Sequence, residues 1–214
     1  MRRFNSVVLD VDSTLAGVEG IDWLASLRGP AAEARSAELT DKAMQGLIPL
    51  EEIYGQRLKS VRPTRGEIEA LSRVYVQRMA PNARETVAYL REEGVHLTIA
   101  SGGFEQAILP LAAELGLAAE QVHAVRLYFD DSGEYTGFDE GSLLARQYGK
   151  RDTIAGLGLD SPVLAVGDGI TDSEIAEVAD AFAVFTGFIR RESVIARADH
   201  VLESFDQLRE LVIE

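Results

Sequence analysis

The chain contains no cysteine in 214 residues. Disulfides, thiolate nucleophiles and zinc–thiolate centres are therefore excluded, and any catalytic or metal chemistry must use oxygen and nitrogen groups. Positive charge is scarce: 21 Lys and Arg stand against 35 Asp and Glu, a formal net charge of −14. No dense basic cluster interrupts this excess, which argues against nucleic acid or an anionic membrane surface as partner. An anionic substrate would need local compensation from a metal or a well-placed Lys or Arg. No apolar run is long enough to span a bilayer, and Met1-Arg2-Arg3 leads straight into a strand-like segment without the apolar stretch of a secretory signal. A cytoplasmic protein is expected.

What the chain does have is enough apolar sequence for a sizeable core. Hydrophobic residues make up 46% and charged residues 26%, which fits one large domain or one domain with a smaller insert. Short apolar runs recur at Ser6 to Leu9, Val95 to Ala100, Val163 to Val166, Ala181 to Phe185 and, more weakly, His200 to Leu202. Helical patterns alternate with them: Asn82 to Glu93, with Asn82 as N-cap and Gly94 as stop, Glu105 to Leu115, Ser173 to Ala179, and Ser204 to Val212. Strands alternating with helices predict an α/β fold, a doubly wound and mostly parallel sheet. Between Gly20 and Met79 the alternation stops. Four helical stretches occur instead, Ile21 to Leu27, Ala31 to Met44, Leu50 to Val61 and Glu67 to Met79, separated by Gly and Pro turns. This predicts a small helical bundle, residues 15–80, inserted as a cap into an α/β core formed by 1–14 and 81–214. Asp130 to Phe138 reads as a hairpin.

The residues that carry chemistry lie at the ends of three of these strands. Val7-Val8-Leu9 runs into Asp10-Val11-Asp12-Ser13-Thr14. Side chains alternate along a strand, so Asp10 and Asp12 share a face and their carboxylates converge. Folding does not call for two crowded like charges; a bound cation or a phosphorylatable acid does. The second strand ends in Ser101-Gly102-Gly103-Phe104, a hydroxyl beside two glycines whose amides can approach an anion at a helix start. The third ends in Gly167-Asp168-Gly169-Ile170-Thr171-Asp172. Asp168 reaches the level of Asp10 and Asp12, whereas Asp172 alone could be a helix N-cap. Hard cations such as Mg²⁺ take carboxylate and carbonyl oxygens and are commonly shared with a substrate phosphate. So many acids around a phosphate also call for a fixed cation, and Lys150, opening the helix that feeds the third strand, is the candidate.

These motifs together resemble those of the haloacid dehalogenase superfamily and, within it, the phosphoserine phosphatase family. Four of them occur in order: Asp10 to Thr14, Ser101 to Phe104, Lys150, and Gly167 to Asp172. The resemblance implies an aspartyl-phosphate mechanism, with Asp10 as nucleophile and Asp12 as general acid and base. It implies Mg²⁺ held by Asp10, the Asp12 carbonyl and Asp168, with Asp172 behind them. Phosphate and substrate would meet Ser101, Gly102, Gly103 and Thr171. In the insertion, Glu19 would meet a substrate ammonium, Arg57 a carboxylate, and Met44 an apolar wall; Leu50 stands where relatives often carry Phe. The implied reaction is hydrolysis of O-phospho-L-serine, the last step of serine synthesis, by a monomer or homodimer. A phosphoserine:homoserine phosphotransferase or another small-metabolite phosphatase would share the same core. A receiver-like signalling module would share the phosphorylatable strand-end Asp, but it has neither the second acid nor a helical lid.

Overall fold

The computed structural model describes residues 2–213. In chain order, β1 (Ser6–Leu9) is followed by four helices, α1 (Gly20–Ser26), α2 (Pro30–Met44), α3 (Leu50–Val61) and α4 (Arg65–Gln77). Next come α5 (Ala83–Glu92), β2 (His96–Phe104), α6 (Glu105–Glu114), β3 (Val122–Val125) and a hairpin of β4 (Leu127–Phe129) and β5 (Tyr135–Phe138). The remainder is α7 (Gly149–Leu157), β6 (Val163–Gly167), α8 (Ile170–Ser173), β7 (Ala181–Phe185), α9 (Glu192–Ile195), β8 (His200–Leu202) and α10 (Phe205–Val212).

Six strands form one sheet in the order β3-β2-β1-β6-β7-β8, each neighbouring pair parallel. The two-residue period of the strands divides their side chains between two cores. Val7, Leu9, Leu164, Val166, Ala183 and Phe185 enter the larger one, while Val8, Ala165, Phe182 and Val184 enter the other. α5, α6 and α10 cover the first face, and α7 and α9 the second through Ile154 and Val194. This is the doubly wound α/β architecture expected from the sequence. The chain builds outward from β1 to β3, then crosses to β6 on the far side of β1. Strand order thus reverses beside β1, and ligand crevices in such sheets open at the carboxyl ends of the strands at this point.

The four-helix segment enters and leaves by adjacent strands of chain. Gly17 N–H donates to the Arg78 carbonyl and Ala80 N–H to that of Leu15, and Ala16 pairs antiparallel with Met79. α4 is begun by a reciprocal cap, in which Thr64 Oγ1 accepts from Glu67 N–H and the Glu67 carboxylate from Thr64 N–H. Its apolar face then packs on α6. Leu24, Leu58, Ile68, Leu71 and Tyr75 belong to the same buried cluster as β1 and β2, so these helices share a core with the sheet.

Several local expectations are corrected. β2 runs beyond the apolar run through Phe104, where the motif places the strand end, with a register shift against β3; the two glycines lie in extended chain directly before the Phe104 N-cap of α6. β3 lies outside the expected strands because only Val122 and Val125 are buried in it. The helix expected over Ser173 to Ala179 begins at Ile170 and passes into a 3-10 turn at Glu174–Glu177. Asn82 holds the N-cap position of α5 as expected, but in left-handed backbone, φ 60°, and its side-chain amide donates to Asp206 and makes no cap bond to the helix. The hairpin strands flank residues 130–134, which form the turn.

Candidate active site

The carboxylates gather where strand order reverses. Leu9 is in register with Val166, and Asp10 N–H donates to the Val166 carbonyl at 3.0 Å, so Asp10 and Asp168 emerge side by side. Ligand oxygens of Asp10, Asp168 and Asp172 lie within 4.8 Å of one another, and all three residues are buried. Lys150 Nζ reaches into this group, 2.7 Å from Asp10 Oδ1 and 2.6 Å from Asp172 Oδ1. Burial alone would lower the Lys150 pKa; Asp10 and Asp172 outweigh it and hold the ammonium above its ordinary value. Asp172 is pushed up to about 6 by burial, against the pull of Lys150.

Two glycines make this packing feasible. A Cβ on Gly149 would fall 1.7 Å from the Leu143 carbonyl oxygen, so only glycine lets the chain pass there and open α7 at Lys150. A Cβ on Gly167 would lie 2.1 Å from the Asp172 carboxyl carbon. Asp172 is not the N-cap that its position in the sequence also allowed. It sits in the first turn of α8, where Oδ2 accepts from Gly169 N–H while Oδ1 takes the Lys150 ammonium.

Asp12 and Glu19 face the same space from the loop after β1. Ser13, at φ 54°, turns this loop and donates to Glu19 Oε1 at 2.6 Å. Asp12 Oδ1 accepts from Gly20 N–H at 2.8 Å and from Tyr75 Oη at 2.7 Å. Burial raises the Asp12 pKa well above the carboxylate range, with Glu19 and Asp10 adding to it. Burial raises Glu19 too, with the Ser13 hydrogen bond opposing. At the end of β2, Ser101 Oγ accepts from Gly103 N–H at 3.0 Å, which leaves the serine O–H to donate into the cavity.

Helices of the insertion close the other side. Arg57 on α3 is buried. Its Nη2 is 2.8 Å from Asp22 Oδ1 and also donates to Thr40 Oγ1, while Ser36 Oγ donates to the same Asp22 oxygen at 2.5 Å. The Arg57 Nε–H is buried and has no partner among the described residues. Met44 packs over Gly169, where a Cβ would come within 2.7 Å of its sulfur. Together these elements line one partly open cleft over the strand ends. Every expected site residue except Asp172 lines it; Asp172 stands behind Lys150.

The structure adds residues that sequence reasoning missed. Arg191, buried after β7, pairs with Asp168 and lies 3.7 Å from Asp41 on α2. Tyr54 Oη donates to the Gly102 carbonyl at 2.7 Å and its ring packs on Phe138. Arg146 borders the cleft, and Tyr75 holds Asp12. None belongs to a short motif; a buried-side position on an amphipathic helix was the only signal for the tyrosines.

This arrangement has counterparts among known proteins. A family model described as haloacid dehalogenase-like hydrolase matches residues 7–177. The phosphoserine phosphatase of Mus musculus is 36% identical over 207 residues, covering 95% of this chain and 91% of that protein. A phosphoserine phosphohydrolase-like protein from Francisella tularensis superposes with a TM-score of 0.90 at 27% identity, over 98% of this chain and 100% of the other. A phosphoserine phosphatase solved as a phospho-aspartyl intermediate analogue gives 0.80 at 26% identity, over 98% and 99%. The chain is a phosphoric monoester hydrolase and belongs to the haloacid dehalogenase-like hydrolases, within them to the phosphoserine phosphatase family.

Proposed function

We infer that the substrate is O-phospho-L-serine and that the phosphoryl group passes through Asp10. The observation that carries this reading is the two-ended cleft. Asp10, Lys150 and Asp168 sit at the strand ends, and Glu19 with the unpartnered Arg57 Nε–H provides opposite charges for an amino-acid end. An ionised carboxylate needs no activating base, so Asp10 attacks phosphorus directly and the bond from phosphorus to the serine oxygen breaks. Asp12, whose raised pKa favours its protonated form, gives its proton to the departing serine oxygen. Water then attacks the acyl phosphate, the bond to Asp10 breaks, and Asp12 takes up the water's proton.

Charge stabilisation is the other requirement of phosphoryl transfer. The Lys150 ammonium lies against the Asp10 carboxylate and would counter the phosphoryl oxygens. Ser101 O–H and Thr171 offer hydroxyl donors at the cleft wall. The buried all-oxygen cluster fits a hard divalent cation, and Asp10, the Asp12 carbonyl and Asp168 would hold Mg²⁺, with Asp172 engaged behind them. When bound, Mg²⁺ would supply positive charge toward the phosphoryl oxygens. Residues 15–80 act as the lid that excludes water.

The test is a phosphate-release screen over phosphorylated metabolites, with and without Mg²⁺, and with free homoserine as a competing acceptor. Phosphoserine should be the preferred substrate and water the acceptor. Preference for a simple alkyl phosphate would overturn the substrate assignment.

A further inference from the structure

Asp12 is held from one side only. Both donors that reach its carboxylate, Gly20 N–H and Tyr75 Oη, meet Oδ1. Oδ2 receives no hydrogen bond from the described residues and faces the Ser101–Gly103 wall, where a Cβ on Gly103 would come within 3.0 Å of it. With both donors directed at Oδ1, a proton on this acid is favoured on Oδ2, and Oδ2 faces the cleft.

We propose that Tyr75 is a positioning residue for the general acid: its hydroxyl occupies Asp12 Oδ1 and so presents the Oδ2 proton to the oxygen leaving phosphorus. Three observations support this. Tyr75 is fully buried, so its hydroxyl needs a buried partner, and Asp12 is that partner. A Cβ at position 20 would lie 2.2 Å from the Tyr75 oxygen, so glycine there leaves room for the phenol. The tyrosine also comes from α4, whose cap and packing on α6 fix it to the core, so the constraint on Asp12 is rigid.

The proposal rests on Asp12 acting as the acid, and the experiment separates the two. For kcat/KM the relevant step is transfer of the phosphoryl group to Asp10, in which the acid matters for a poor leaving group and little for a good one. Ethyl phosphate and p-nitrophenyl phosphate both lack the amino-acid end, so Glu19 and Arg57 do not bias the comparison. Tyr75→Phe should lose roughly 10- to 100-fold in kcat/KM on ethyl phosphate, the scale of a misplaced catalytic group, and less than about 3-fold on p-nitrophenyl phosphate. Gly20→Ala, which keeps the hydroxyl but pushes it aside, should show the same bias and serves if Tyr75→Phe does not fold. Asp12→Asn should show a larger bias of the same kind. Equal losses on both substrates in Tyr75→Phe and Gly20→Ala, with the bias present in Asp12→Asn, would overturn the role of Tyr75. Absence of the bias in Asp12→Asn would remove Asp12 as the acid and the proposal with it.

Discussion

The floor and the roof of the cleft solve the problem of buried charge in different ways. On the floor, Asp10, Asp168 and Asp172 are offset by full cations, Lys150 and Arg191, at ion-pair distance. On the roof, Arg57 Nη2 is held by the Asp22 carboxylate and by the hydroxyls of Thr40 and Ser36, and its Nε–H meets no partner among the described residues. Two cations thus offset most of the charge of the three floor carboxylates before anything binds, as suits groups that must be fixed while charge develops on a phosphoryl group. The roof keeps donor capacity in reserve for a ligand. In the proposed function the floor performs the chemistry and the roof selects the substrate.

The largest effect should come from breaking the floor. Lys150→Ala removes the cation shared by Asp10 and Asp172, and turnover on phosphoserine should fall by about 10³-fold or more. The loss should be similar on p-nitrophenyl phosphate, because the floor does not distinguish substrates. Lys150→Arg should rescue poorly, since a planar fork does not replace a compact ammonium. Steady-state rates on both substrates, with circular dichroism to establish folding, check this.

Breaking the roof should give a smaller and selective loss. Arg57→Ala should lower kcat/KM for phosphoserine by the equivalent of roughly 2–5 kcal/mol, the cost of removing one partner of a desolvated charge pair. On an aryl phosphate without a carboxylate the change should be slight. Equal losses on both would make Arg57 a support for the lid alone.

The smallest effect is a pH dependence that sharpens the comparison. Burial raises the Glu19 pKa, so Glu19 takes up a proton at a higher pH than an ordinary glutamate. The proposed ammonium contact would be present above that raised value and lost as pH falls through it. In kcat/KM, which reports the free enzyme, phosphoserine should lose rate on the acid side sooner than a phosphomonoester without an ammonium. Glu19→Gln should bring the two acid limbs together.

The floor was legible because its geometry is local. Asp10 is legible as the acid that ends an apolar run, and Gly167 to Asp172 as a glycine turn at a neighbouring strand end. The two-residue strand period does not reach Asp12, because β1 ends at Leu9 and Asp12 lies in the loop beyond it. Where the reading slipped, tertiary contacts decided: α8 starts early because Asp172 reaches back to Gly169. The roof was legible only through resemblance for Glu19, Arg57 and Met44. Its hydroxyl network was not legible: Tyr75 meets Asp12 across 63 residues, and Tyr54 meets Gly102 across 48. An amphipathic helix tells which face is buried, but not which buried phenol finds a catalytic carboxylate.

The central claim is that Asp10 carries the phosphoryl group, and mass spectrometry tests it most directly. Protein supplied with Mg²⁺ and phosphoserine, then quenched in acid during turnover, should gain the mass of one phosphoryl group, mapped to the peptide containing Asp10. Asp10→Asn should show neither adduct nor turnover while keeping its fold. Substantial turnover by Asp10→Asn, or an adduct on another residue, would contradict the account.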